Sequence, residues 1–451
     1  MAIVAPFRGM TYKYDLRDDL SVLMAPPYDV ISKEEQDAYY QTDPNNVIRL
    51  ILSKKKTGDT DWDNRYSRAA DDFKRWSSSE ILVRSTHPCI YLTSLTYTPG
   101  DENVERTRWG IIVAVRIEEE NSGVILPHEK TFSAHKDDRL KLMKACNAQL
   151  SQIFALYEEP ANNVLDSCIE YSSQSPEMAF KFKDGTSHKM WVLKNPDLHK
   201  KISKLMRDKR LFIADGHHRY ETARNYRNMM RARYGRKPAH RAYEYVMMYL
   251  TNMSAEGLTI LPSHRLIKDA PEFESGRFMS RISKWFDVAE YEMPGKNMRN
   301  ECLELKKRLE EAGARETSIA FFQKNSKRYY LLTLKPEARA DMGEDLHPSL
   351  RKLDVMVLSR LILQKGIGFT VDGMDDQDRF HYESSIEKAV SSVKSGEYEI
   401  VFLLNHTKIE HVKEIAGNSM VMPRKSTFFY PKILSGLVFN RIDPHELIQT
   451  S

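Results

Sequence analysis

The residues best suited to chemistry are Asp215, Gly216, His217, His218, Arg219 and Tyr220, which follow directly on the apolar run Leu211 to Ala214. That run reads as a strand, and Tyr220, Ala223, Tyr226 and Met230 then recur at helical spacing up to Gly235, so the six residues occupy a strand-to-helix turn. A helix amino terminus has unpaired backbone N–H groups and a partial positive charge, so it attracts phosphate. Glycine lets a ligand approach the backbone, and histidine and arginine supply charged donors. The structural alternative makes Asp215 a simple helix cap and leaves the histidines satisfied in the core. Two adjacent histidines and an arginine in one first turn are hard to explain by packing.

Two further segments carry candidate groups. Pro127, His128, Glu129, Lys130 and Thr131 end a strand-like run, ahead of an acidic helix start at Asp137, Asp138 and Arg139. A carboxylate beside a lysine and a hydroxyl can deprotonate an alcohol and hold an anion, which makes Glu129 the candidate base. The plainer reading is a solvated ion pair of Glu129 with Lys130. The spacing is not that of the zinc motif H-E-x-x-H. Near the carboxyl end, Arg424, Lys425 and Lys432 flank Ser426 and Thr427; the segment clamps an anion if it packs back onto the core, and is otherwise a lysine-protected edge strand. His264 and Arg265, in Pro262-Ser263-His264-Arg265, are a weaker pair. The chain has no G-x-x-x-x-G-K-[ST] loop, no kinase H-R-D with D-F-G and no G-x-G-x-x-G after the first strand, so any phosphate chemistry uses another scaffold.

The elements that must position these groups are short and mixed. Pro26 and Pro27 force extended backbone before a helix that Ser32 caps, and Tyr66, Phe73 and Trp76 mark a second helix over residues 63 to 76. CIYLTSLTY, RWGIIVAVRI and GVILPHEKTF read as successive strands, residues 137 to 149 as a helix, and IFALY as another strand. After the turn come the strand-like YEYVMMYLTNM and GLTILPSHRLI, then SIAFFQ, YYLLTL, LDVMVLSRLILQKG and YEIVFLL. This is a mixed α/β (α+β) pattern. Residues 1–84 are expected to contribute to a core over 85–268, and 269–451 to form a carboxyl-terminal α/β domain whose segment 422–438 returns to the site.

With 451 residues, 41% hydrophobic and 29% charged, the chain has the balance of a folded globular protein of two or three domains, at roughly 150 residues each. The 68 basic and 63 acidic residues are interspersed and leave +5, which excludes a polybasic nucleic-acid arm. Four scattered cysteines form no CxxC pair, the first residues lack the apolar core of a signal peptide, and no run approaches the ~20 apolar residues of a membrane span; the expectation is a reduced, cytoplasmic protein with no membrane or nucleic-acid partner.

APPYDVIS, DPNNVIRL, PHEKT with DDRLKLMKACNAQLSQIFALY, DGHHRYETA, GLTILPSHRLI, LDVMVLSRLIL and MPRKSTFFYPKILSGLV together resemble the microbial family catalogued as domain of unknown function 1015, over nearly the whole chain. The D-G-H-H-R turn also resembles the phosphate-binding turn of the ParB and sulfiredoxin-like superfamily, whose members include kinases of free L-serine. The resemblance implies a ParB/sulfiredoxin-like core with amino- and carboxyl-terminal additions. It also implies a serine kinase of amino-acid metabolism and cysteine biosynthesis, using Mg²⁺ and pyrophosphate, ADP or ATP.

By position, Glu129 would take the serine hydroxyl proton, with Asp215 and His217 completing the catalytic group. Lys130, Thr131, Gly216, His217, His218 and Arg219 would hold phosphates, and Asp215 would face Mg²⁺ or the substrate amine. His128, His264, Arg265, Lys425, Ser426, Thr427 and Lys432 are the remaining substrate-binding candidates. Glu129 and the Asp215 turn are then expected to face one pocket. The competing readings are a phosphoester hydrolase with His128, Asp215, His217 and His218 around a metal, and a non-enzymatic ParB-like nucleotide switch. The switch requires a helix-turn-helix segment after the core, and residues 270 to 451 contain none.

Overall fold

The computed structural model describes residues 1–100, 104–129, 133–270, 273–295, 297–376 and 378–449. The chain divides into two compact units: the first comprises Met1–Pro127, Thr131–Thr259 and Phe429–Ser451, the second His128–Lys130 and Ile260–Phe428. The chain therefore leaves the first unit after Thr259 and returns to it at Phe429. Both units are mixed helix and strand, so the protein is of the mixed α/β class.

The first unit is built on a nine-stranded mixed sheet. In spatial order its strands are Ile125–Leu126, Leu211–Asp215, Ile153–Tyr157, Tyr245–Asn252, Arg106–Arg116, Ile90–Tyr97, Ser187–Leu193 and Met178–Lys181, with Val4–Ala5 paired on Arg106–Arg116. Leu211–Asp215 runs parallel to Ile125–Leu126, and Tyr245–Asn252 parallel to Ile153–Tyr157; the remaining pairs are antiparallel. The central strands read as near-continuous β-branched and aromatic runs because both of their faces are covered. Ile111, Val113, Val115, Ile153, Ala155, Leu211 and Ile213 belong to one buried cluster. Burying each large aliphatic side chain of this kind stabilises the fold by about 1.5–3 kcal/mol.

The helices start where their capping residues permit. Ser32 and Glu35 form a reciprocal capping box on Lys33–Thr42, with Glu35 N to Ser32 Oγ at 3.1 Å and Ser32 N to Glu35 Oε2 at 2.9 Å. Asn64 does the same with Ser67 on Arg65–Ser78. Two expectations need correction here. Among the described residues of the run GVILPHEKTF a strand forms only at Ile125–Leu126, since Pro127 has no N–H to continue a ladder. The helix expected from residue 137 begins at Ser133 and ends at Cys146, which moves Asp138 out of the first turn. Asp138 pairs instead with Arg65, Tyr66 and Arg139.

The carboxyl-terminal stretch of the first unit is stitched on by backbone pairing: Ser435 bridges Ala25, Phe439 bridges Met10, and Asn440–Arg441 pairs with Ala148–Gln149. The four cysteines are buried, and none is in a disulfide.

The second unit has a six-stranded antiparallel sheet in the order Phe286–Glu292, Arg328–Leu334, Ser318–Gln323, Ile400–Leu404, His264–Ile267, Phe380–Glu383. Helices Met298–Gly313 and Ile386–Lys394 bury Leu305, Leu309, Val390 and Val393 in the same apolar cluster as Phe322 and Leu403 of the sheet. Asp354–Val357 is α-helical and continues through Leu358–Ile367 in the wider π form. Among the described residues no helix is long and apolar enough to cross a membrane.

Candidate functional site

In the first unit the strand Leu211–Asp215 slips register between Ile213 and Asp215, and the chain turns at Gly216 into the helix His217–Tyr234. Gly216 has φ +92° and ψ +31°, a left-handed conformation that side chains disfavour; a Cβ there would lie 2.9 Å from Arg219 Nε. Glycine at the cap has no side chain of its own to bond the first N–H groups of this 18-residue helix. Asp215 is buried, and its two carboxylate oxygens are bonded by Lys432 Nζ and Arg219 Nη2. Arg219 Nη1 reaches back to the carbonyl of Gln152. The result is a chain of charge, Lys432–Asp215–Arg219, with one net positive charge at the helix start.

Lys432 reaches this position because its segment is pinned on both sides. Arg108, fully buried, donates from Nη1 to Tyr430 O at 3.0 Å and from Nη2 to Pro431 O at 2.7 Å, with its guanidinium 4.8 Å from the centroid of the Phe154 ring. Gln152 Nε2 donates to Leu434 O at 2.9 Å, and the hydroxyls of Ser151 and Ser435 are 2.7 Å apart. Arg108 and Gln152 position the site, and the motif reading passes over both. Arg108 lies near the start of the strand Arg106–Arg116, two residues before its buried stretch 110–115.

Histidine chemistry at the turn differs from the expectation of charged donors. Burial draws the His217 pKa down to about 3; the Asp215 charge opposes this, while His218, Lys432 and Arg219 reinforce it. His217 is therefore a neutral imidazole at physiological pH, and the fixed positive charge comes from Lys432 and Arg219.

In the second unit the other two motifs meet each other. His128 Nε2 lies 3.1 Å from Thr427 Oγ1, Met422 N donates to His128 O at 2.7 Å, and Lys425 N donates to Glu129 Oε1 at 3.0 Å. Lys425 adopts φ +54°, a left-handed conformation that costs a non-glycine residue of order 1–3 kcal/mol and that turns its N–H toward Glu129. Ser426 Oγ donates to Pro423 O at 2.6 Å. Arg265 holds the same loop from below: Nη2 donates to Lys425 O at 3.0 Å, Nη1 to Ser263 O at 2.6 Å, and its guanidinium stands 4.5 Å from the Tyr382 ring centroid. His264 is fully buried in the sheet, its Nδ1 accepts from Leu404 N at 3.1 Å, and burial lowers its pKa to about 3, a packing role. Lys130 and Thr131 lie outside the described residues.

The segment 422–432 thus divides: Lys425, Ser426 and Thr427 join His128 and Glu129 in the second unit, while Lys432 joins Asp215 and Arg219 in the first. Glu129 and the Asp215 turn belong to different units. Among the described residues no group of three or more His, Cys, Asp or Glu side chains is placed to hold a metal ion. Asp215, with a cationic side chain on each oxygen, does not fit a resident metal, and no step is derived through one.

A cavity of about 50 Å³ opens beside Arg219, lined by Tyr28, Ile51, Arg139, Leu142 and Leu150 among others. Arg139 packs over Tyr28, 4.0 Å from the ring centroid.

A family model described as "Protein of unknown function (DUF1015)" matches residues 4–356. No curated protein matches the chain. Among solved structures, a conserved hypothetical protein from Pyrococcus furiosus is similar at 13% identity, over 72% of this chain and 92% of that one, with a TM-score of 0.33. A free serine kinase in complex with AMP is similar at 12% identity, over 71% and 86%, with a TM-score of 0.33. SbnI from Staphylococcus aureus, truncated at its carboxyl terminus, is similar at 8% identity, over 72% and 85%, with a TM-score of 0.33. Values this low establish neither a shared activity nor a shared ligand.

Proposed function

The chain belongs to the DUF1015 family, and we propose that it is a phosphotransferase that moves a phosphoryl group from a small phosphate donor to the hydroxyl of free L-serine. The observation that carries this reading is the charge chain Lys432–Asp215–Arg219 at the glycine-opened start of a long helix. Phosphoryl transfer asks mostly for positioning and for stabilised negative charge, and this turn offers both. The choice of L-serine rests on the resemblance of the D-G-H-H-R turn to free serine kinases.

In this reading Gly216 admits the donor to the helix start, Lys432 and Arg219 balance its charge, and neutral His217 supplies hydrogen bonding without added charge. Glu129 enters as the general base on the resemblance: it takes the serine hydroxyl proton as the new oxygen–phosphorus bond forms and the donor's bridging bond breaks, releasing inorganic phosphate from pyrophosphate, AMP from ADP or ADP from ATP. A divalent cation such as Mg²⁺ arrives with the donor. Pyrophosphate is the favoured donor, because the basic groups of the turn suit a small, highly charged phosphate and the segments assigned to the site carry no evident aromatic sandwich for a purine.

Incubation of the purified protein with L-serine, Mg²⁺ and each donor in turn, with detection of phosphoserine by mass spectrometry, tests the proposal. Phosphoserine is expected with pyrophosphate; formation only with ADP or ATP overturns the donor assignment. No phosphoserine with any donor overturns the function.

A further inference from the structure

The second unit contains a larger cavity that the proposed reaction does not use. It measures about 220 Å³, roughly seven times the ~30 Å³ of a water molecule, and its walls include Arg315, Glu316, Arg339, Lys352, Asp354 and Lys408. Every lining residue belongs to the second unit, so the inference is independent of the Asp215 turn. Several of these charges are already committed: Arg339 pairs with Glu316 and donates to Arg351 O at 2.6 Å, and Lys352 pairs with Glu414 at 3.2 Å. Arg315 and Lys408 are exposed and have no ion pair among the described residues. Lys408 also sits at the cap of the helix Ile409–Gly417, whose amino terminus receives no side-chain cap.

We propose that this cavity is a binding site for a small tetrahedral dianion of the phosphate class, held chiefly by Arg315 and Lys408. The four lining cations exceed the two lining carboxylates, and two of those cations are spoken for within the protein, which leaves a matched pair for a doubly charged ligand. Asp354 tunes the site. Burial and the Glu316 charge push its pKa up to about 6, while a hydrogen bond from Thr317 and the charges of Arg339 and Lys408 oppose the rise. Its carboxylate therefore repels an anion above that pH and ceases to do so below it. The other titratable side chains lining the cavity are His406 and His411.

The test uses the full chain and sulfate, a dianion throughout pH 5.5–7.5, followed at the assigned imidazole resonance of His411 so that binding at the Asp215 turn does not register. A saturable shift is expected, with affinity higher at pH 5.5 than at pH 7.5. Replacing both surface cations, Arg315→Ala with Lys408→Ala, should weaken binding about tenfold or more, and Asp354→Asn should tighten it several-fold at pH 7.5, on the order expected for removing one charge at contact distance. Inorganic phosphate and glycerol 3-phosphate are titrated in parallel: equal midpoints assign the free ion, and a tighter midpoint for the ester assigns a phosphorylated metabolite. No saturable shift, or midpoints unmoved by these substitutions, overturns the proposal.

Discussion

A buried carboxylate between two cations is stable only while both remain, and this makes Asp215 the most informative residue of the turn. Lys432 and Arg219 do not serve it equally: Arg219 is also tied to Gln152 O, whereas Lys432 comes from a segment held by Arg108 and Gln152. Lys432→Met keeps the length of the side chain and removes its charge, leaving the turn neutral overall. The donor should then bind about tenfold or more weakly, through loss of a charge-assisted contact. Arg219→Ala should weaken the donor in the same way. Glu129→Gln should act differently, lowering kcat by about 10²–10⁴ with the donor KM little changed, because it removes a proton acceptor and no donor contact. Steady-state kinetics on the three variants separate these roles. Near-native turnover of Glu129→Gln at saturating substrate would show that this carboxylate serves only to hold the Lys425 N–H.

At the scale of elements, the turn depends on a backbone conformation more than on any side chain. Gly216→Ala forces a Cβ into the left-handed region, at a cost of about 1–2 kcal/mol, and against Arg219. A melting temperature lowered by a few degrees is expected, together with loss of donor binding by calorimetry; a variant that melts and binds as the parent does would remove Gly216 from the site. Much of this element was legible beforehand: the apolar run ending at Asp215, the helical spacing of Tyr220, Ala223, Tyr226 and Met230, and the stop at Gly235 all follow from local chemistry. So did Ser32 as a cap and IFALY as the strand Ile153–Tyr157. Partnership was not legible, because periodicity reports which face of an element is buried and not what lies against it. His128 meets Thr427 across 299 positions, and Asp215 meets Lys432 across 217. Arg108 was hidden for a related reason: in sequence it resembles an exposed strand end, and only the buried carbonyls of Tyr430 and Pro431 explain it.

At the scale of the whole molecule, buried neutral histidines should govern the response to acid. In the first unit burial lowers His188 to about 4 and His217 to about 3; in the second it lowers His264 to about 3. Each folded pKa lies below the unfolded value of about 6.5, so between the two values the unfolded chain binds the extra proton. Their contribution to stability is complete above about 6.5 and is lost progressively as the pH falls. From pH 7.5 to 5.5 each such histidine costs on the order of 1 kcal/mol, hence a few kcal/mol in the first unit. In the second unit Asp354 works the other way. Its folded pKa of about 6 is raised above the usual ~3.9, so acidification relieves the strain of its ionised form and returns about 1 kcal/mol, offsetting most of the loss from His264. His199 in the first unit and His411 in the second are also lowered, chiefly by burial. Hydrogen exchange read by mass spectrometry should therefore show protection falling between pH 7.5 and 5.5, after correction for the intrinsic exchange rate, more in peptides of the strands Ile153–Tyr157 and Tyr245–Asn252 than in those of Ser318–Gln323 and Ile400–Leu404. His188→Gln should recover part of the first unit's loss. Equal loss in both units would remove the offset assigned to Asp354; no loss in either would mean that these imidazoles take up protons in the folded protein, and His217 would then bring to the phosphate turn the positive charge that its burial denies it.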